Sequence, residues 1–268
     1  MGLLRIAAGA IGLTLCMGAV PSWVADAQNM LDQVDMASPA MSQAEMTRAE
    51  LARLIAAKDK RLDLTHRRLA GLDLRGLDLS NVDLRWAVLN KADLRGANLS
   101  GSDLSLAWLI EANLEGADLS GAKLFSTQMQ RANLAKAKLD GARIAANLER
   151  ANLSGASAVN ANMGADMRNQ SMGLMGTVLT SARADGADFS GADMGRVSAE
   201  FASFKGARLE RASLVNAKLG GADLSNAAVA GLDLTDADLD STRLIGLHGE
   251  HQLIGLERAK NAERAIRR

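Results

Sequence analysis

Across residues 62–246 an aliphatic or aromatic side chain returns at nearly every fifth position. In ADLRGANLSGSDLS (residues 92–105), Leu94, Leu99 and Leu104 stand five apart, each with Ala92, Ala97 or Ser102 two places before it. Five is neither the 3.6 period of a helix nor the 2 of a strand. The centres run by fives from Leu64 to Ile144, through Leu114 and Leu119. They run again from Leu179 to Leu244, through Phe189, Phe204, Leu214 and Leu224. A short, sustained repeat implies a solenoid, in which each turn buries its apolar residues only by stacking on its neighbours.

In this reading two residues of each five, the centre and the small residue before it, face a shared interior. The other three face water. Composition agrees: hydrophobic residues make up 48% of the 268, yet aromatics are 3% and tyrosine is absent. A slim lumen takes alanine and leucine where a broad core would take large rings. Glycine at the last place, as at Gly76, Gly96, Gly101, Gly116, Gly121 and Gly141, suits a tight corner.

Tandem A(D/N)LXX, as in ADLRG, ANLSG and ADLSG, resembles the pentapeptide-repeat family. The resemblance implies an all-β fold, a right-handed quadrilateral parallel β-helix with four pentapeptides per coil. Residues twenty apart would then stack. About nine coils are expected, a rod on the order of 45 Å long at about 4.8 Å per coil.

The flanks read differently. Arg5, the apolar run 6–20 and Ala25-Asp26-Ala27 match a secretory signal peptide cleaved after Ala27, so residues 1–27 are read as a signal. The mature chain then has no membrane span, loses Cys16, and is periplasmic or secreted. Residues 28–41 read as a linker. Ser42-x-x-Glu45 reads as a capping box opening an N-terminal capping helix over 42–61. The register falters at 145–178, where Leu148 follows Ile144 by four and Met167 follows Met163 by four. Distorted coils or a protruding loop are expected near 163–178. Residues 247–268 read as a C-terminal cap or tail with a short basic helix carrying Leu256, Ala259 and Ile266 on one face. It caps the open end or makes a homodimer contact.

The residues offer little chemistry. Histidine occurs only at His66, His248 and His251, and no nucleophilic triad or phosphate loop is evident, so no enzyme and no cofactor are expected. His248-Gly-Glu-His251 is a weak metal signal. Met163, Met167, Met172 and Met175 are a minor candidate for Cu(I), with lumen filling the plainer reading. Stacked columns such as Asp83, Asp103, Lys123, Arg143 and Asp78, Asn98, Asp118, Lys138 mix signs and do not cage calcium. The sharpest local feature is an outward apolar patch. Trp86 and Leu106 share one place twenty apart, Val88 and Trp108 share another, and Ile110 lies one step on. Such a patch marks a protein contact or is covered by the 42–60 helix.

The best-studied members of the family resemble DNA and protect DNA gyrase, which requires an acidic rod. Residues 62–246 hold 22 acidic against 20 basic residues, a net of −2. That balance steers neither a nucleic-acid-binding partner nor nucleic acid itself. The expectation is an exported, non-enzymatic scaffold with an unknown protein partner. A cytoplasmic gyrase modulator is the alternative if translation starts at Met30 or Met36.

Overall fold

The computed structural model describes residues 34–57, 61–165 and 176–268. The architecture below belongs to the compact unit Met36–Arg268. The predicted signal 1–27 lies outside the described residues.

Parallel ladders join residues twenty apart in four columns. The first runs Asp63, Asp83, Asp103, Lys123; the second Arg68, Val88, Trp108, Gln128; the third Asp73, Asp93, Asn113, Asn133; the fourth Asp78, Asn98, Asp118, Lys138. Each rung bonds on both sides: Asp103 N–H donates to Val82 O at 3.0 Å and Leu84 N–H to Asp103 O at 2.8 Å. Between rungs the chain turns a corner, closed by bonds such as Ala87 N–H to Leu84 O at 3.0 Å. Two stretches are continuous enough to count as strands, β1 (Lys123–Gln128) and β2 (Arg143–Asn147), paired in parallel.

The pentad centres fill the lumen. Leu94, Leu99, Leu104, Leu114, Leu119, Phe189, Phe204, Leu214 and Leu224 are all buried, as are the alanines two places before most centres. Size is balanced along columns. Phe189 stands one rung above Ala158 and Phe204 one rung above Ala184, since their neighbours pair as Ser157↔Asp188 and Arg183↔Ser203. The two rings meet edge to face with centroids 5.9 Å apart.

The third residue of nearly every corner has positive φ. Glycine takes it at Gly76, Gly96, Gly101, Gly116, Gly121 and Gly141, as expected, but so do Trp86, Lys91, Leu106 and Arg131 among others. Left-handed backbone costs such residues about 1–2 kcal/mol each. It persists because the ladder bonds on both sides fix the corner.

The irregular segment resolves into a one-residue deletion and an eleven-residue insertion. Arg143 pairs with Asn162, nineteen on, and Asn162 pairs with Asp193, thirty-one on. Thr177 stands where an alanine is expected, buried, its Oγ1 donating to Met163 O at 2.8 Å. The chain therefore regains the ladder at Thr177 and Leu179. Met163 fills the lumen; Met167, Met172 and Met175 lie outside the described residues.

Both ends differ from expectation. The capping box is formed by Thr47 and Glu50, which open α2 (Arg48–Ala56), while Ser42 closes a one-turn α1 (Pro39–Ser42). Glu45 is engaged instead with Arg67 and Arg68, at 2.9 and 3.3 Å. Leu51 of α2 is fully buried against the first coil, and Arg48 donates to the carbonyls of Asp73 and Arg75. The C-terminal segment is no α-helix. It forms another coil in six-residue steps, pairing Ala228↔His248, Asp233↔Ile254, Asp238↔Lys260 and Arg243↔Ile266. Left-handed Gly249, Gly255 and Asn261 each start a 3-10 turn, which breaks any longer helix. Ala259 and Leu256 pack on the core as an apolar face would, whereas Ile266 is a rung of the third ladder, 38% exposed. A glycine is required at 255, because a Cβ there would lie 2.7 Å from Thr235 Cα.

Candidate recognition surface

The polar residue before each centre serves the backbone first. Asp118 Oδ1 accepts the Ser120 N–H at 2.9 Å, Asn133 Oδ1 that of Ala135 at 3.2 Å, and Asp233 Oδ1 that of Thr235 at 2.9 Å. Residue i thus satisfies the N–H of i+2, the Asx pattern in which Asp and Asn are interchangeable. Asn113, Asn133 and Asn152 also bond to one another up their column, at 3.1 and 3.0 Å. The sequence reading of these places as solvated surface missed this role; the free exchange of Asp and Asn in A(D/N)LXX was the available signal.

Where Arg stands two after Asp, the pair closes on itself. Asp73 with Arg75, Asp83 with Arg85 and Asp93 with Arg95 make two-point contacts of 2.6 to 2.9 Å. The side-chain bonds from arginine hold all three carboxyls below the usual range. The mixed-sign columns are present as read, with Lys123 reaching Asp103 at 3.6 Å. Among the described residues no group of three or more His, Cys, Asp or Glu is placed to hold a metal ion. No described helix is long and apolar enough to cross a membrane.

The apolar patch divides into two columns. Trp86 and Leu106 are corner residues with φ of 63° and 64°, in one column with His66 and Ser126. Trp86 is 47% exposed, but its ring lies nearly parallel to His66, centroids 5.8 Å apart. His66 was not foreseen, although it sits twenty before Trp86. Val88 and Trp108 are successive rungs of the second ladder; Val88 is buried and Trp108 half-buried, as is Ile110. The helix does not lie where a cover was expected, since α2 packs its Leu51 on the lumen side chains and its Arg48 on the third ladder. Instead the Met41 carbonyl accepts from Asn90 Nδ2 at 3.1 Å, two residues past Val88.

Beyond Trp108 the second ladder continues as Gln128, Asn147, Val178 and Ser198. From Val88 to Ser198 it carries no charged residue, the longest such run of the four ladders among the described residues. Gln130 Nε2 donates to Gln128 Oε1 at 3.0 Å and Gln128 Nε2 to Ser126 O at 3.2 Å. This relay leaves Gln130 Oε1 buried with no hydrogen-bond partner.

The family model for pentapeptide repeats matches in 8 copies, over residues 68–105, 107–141, 192–228, 202–240 and 217–247. The chain belongs to the pentapeptide-repeat family. Among solved structures it is similar to HetL, a pentapeptide-repeat protein involved in heterocyst differentiation regulation from Nostoc sp. strain PCC 7120. The identity is 35% over 83% of this chain and 95% of that one, with a TM-score of 0.33. The pentapeptide-repeat protein alr5209 from Nostoc is 37% identical over 42% of this chain and 80% of its own, TM-score 0.29. QnrB1, a plasmid-mediated fluoroquinolone resistance protein, is 21% identical over 57% of this chain and 75% of its own, TM-score 0.37. No curated protein matches the chain. The pentapeptide repeats give the fold as a β-helix, with the ladder residues on its outside.

Proposed function

We propose that this pentapeptide-repeat chain is an exported, non-enzymatic right-handed quadrilateral β-helix, a rigid scaffold whose outer face binds another protein. One observation carries the reading. Many of the aspartates before the lumen residues bond to a backbone N–H, and Asp73, Asp83 and Asp93 also pair with arginines two places on, so these carboxylates serve the coil itself. The long uncharged run of the second ladder, with half-buried Trp108 and Ile110 beside it, offers interface chemistry. QnrB1's role in fluoroquinolone resistance is not carried over: the repeat region's net charge of −2 supplies little attraction for a nucleic-acid-binding partner.

Trp86→Ala with Trp108→Ala is expected to abolish capture of the partner from a periplasmic extract while leaving the circular dichroism of the rod unchanged. Identical capture profiles for variant and parent rule the patch out. Cell fractionation with N-terminal sequencing is expected to find the mature chain outside the cytoplasm, starting at Gln28. A cytoplasmic chain retaining residues 1–27 contradicts export.

A further inference from the structure

We propose that the open C-terminal end of the coil docks a basic amphipathic helix, which puts leucine into the lumen mouth and arginine or lysine on the rim. The site is separate from the Trp86 and Trp108 patch. The two ends of the coil are finished differently. At the N-terminal end the chain supplies its own cover. Leu51 of α2 is fully buried against the core. Arg48, three residues before it, donates to Asp73 O at 2.6 Å and Arg75 O at 2.8 Å, and the Glu45 N–H donates to Arg68 O at 2.9 Å. At the other end the ladder acceptors stay open. Leu232 O, Ala237 O and Thr242 O each accept an N–H from the last coil, whereas Leu253 O, Ala259 O and Ala265 O, one coil on, accept none among the described residues. These three residues, with Leu256 and Ile266, line an open hollow of about 1040 Å³.

The rim sets the sign of the occupant. Glu250, Glu257 and Glu263 line it, one on each of three sides, and none makes an ion pair among the described residues. The arginines beside two of them turn back to the preceding coil, Arg258 to Asp236 at 3.2 Å and Arg264 to Asp240 at 3.1 Å. The three carboxylates are not placed to hold a metal ion together. An apolar floor, open carbonyls and unpaired carboxylates call for leucine and for cations that donate, the pairing of Arg48 with Leu51 that closes the other end. An added strand fits less well, because each side offers one rung before the chain turns. A second copy also fits less well, since its end brings these three glutamates against only Arg267 and Arg268. Those two arginines, on the remaining side, draw the C-terminal carbonyls of the docked helix towards them.

The test uses the full chain and a fluorescein-labelled peptide of four Arg-Ala-Ala-Leu repeats, which sets arginine and leucine three apart as in α2. Fluorescence anisotropy is expected to show saturable binding, weakened about tenfold by Glu257→Lys with Glu263→Lys. The same charge change on the side of the rod, Glu115→Lys with Glu149→Lys, is expected to leave binding unchanged, as is Trp86→Ala with Trp108→Ala. A peptide with glutamate in place of arginine is expected not to bind. No saturable binding, equal weakening by the two charge reversals, or binding of the glutamate peptide overturns the proposal. Loss of binding in the tryptophan variant moves the peptide to the patch and overturns it as well. A two-chain mass by light scattering, with peptide binding appearing only on dissociation, gives the end to a second copy instead.

Discussion

At the residue before each lumen side chain, what counts is an acceptor oxygen two atoms from the backbone, not a negative charge. Asp118 and Asn98 sit in the same column and both accept the N–H two residues on. Asp118→Asn is therefore expected to leave stability within about 0.5 kcal/mol, while Asp118→Ala loses about 1 kcal/mol through the unsatisfied N–H. Urea midpoints of the two variants check this; equal losses would show that charge, not the acceptor, matters there. The same view explains the corners. A Cβ at Gly96 meets nothing within 4 Å, so that glycine is chosen for its φ of 61°, whereas Gly255 is chosen for closeness to the Thr235 backbone as well.

At the scale of the element, the first coils carry two-point arginine–aspartate pairs, whereas later pairs such as Arg183 with Asp185 and Arg243 with Asp223 make single contacts of 3.1 and 3.3 Å. The carboxyls of Asp73, Asp83 and Asp93 are lowered by their arginines. A lowered carboxyl contributes stability above its unfolded pKa, about 3.9, and loses it as pH falls through the folded value. The pairs are exposed, so each contributes little. Hydrogen exchange is thus expected to show no change in protection of residues 63–95 from pH 7 to 5, then selective loss below about pH 4. Uniform loss along the rod would remove the pairs as the cause. How far these elements were legible depends on how local their causes are. Pentad centres were legible because each acts within its own coil. The helix start was misread because residues 42–50 hold two S/T-x-x-E patterns, and only tertiary contact with Arg67 and Arg68 decides that Glu45 is taken. The six-residue coil at 247–266 was missed because its apolar spacing also fits a helix; the decisive marks are Gly249, Gly255 and Asn261, recurring by six.

At the scale of the molecule, the surface was the least legible. Trp86, Val88, Leu106 and Trp108 could be placed in columns from spacing alone. Their exposure could not, because it depends on Met41, His66 and Gln128, which lie coils away or outside the repeat. All of these placements rest on one central claim, that each coil, twenty residues long where the repeat is regular, advances the chain by one rung along a common axis. Corner residues Lys91, Glu111, Arg131, Arg150 and Ser181 follow one another through ladder bonds, and Phe201, Gly221 and Ser241 continue the column. Pulsed EPR on spin labels at Lys91 paired with Ser181, and at Lys91 paired with Ser241, measures that advance directly. At ~4.8 Å per rung, four and seven rungs predict separations of about 19 and 34 Å. Two distances that do not grow with the number of rungs would contradict the stacked coil itself.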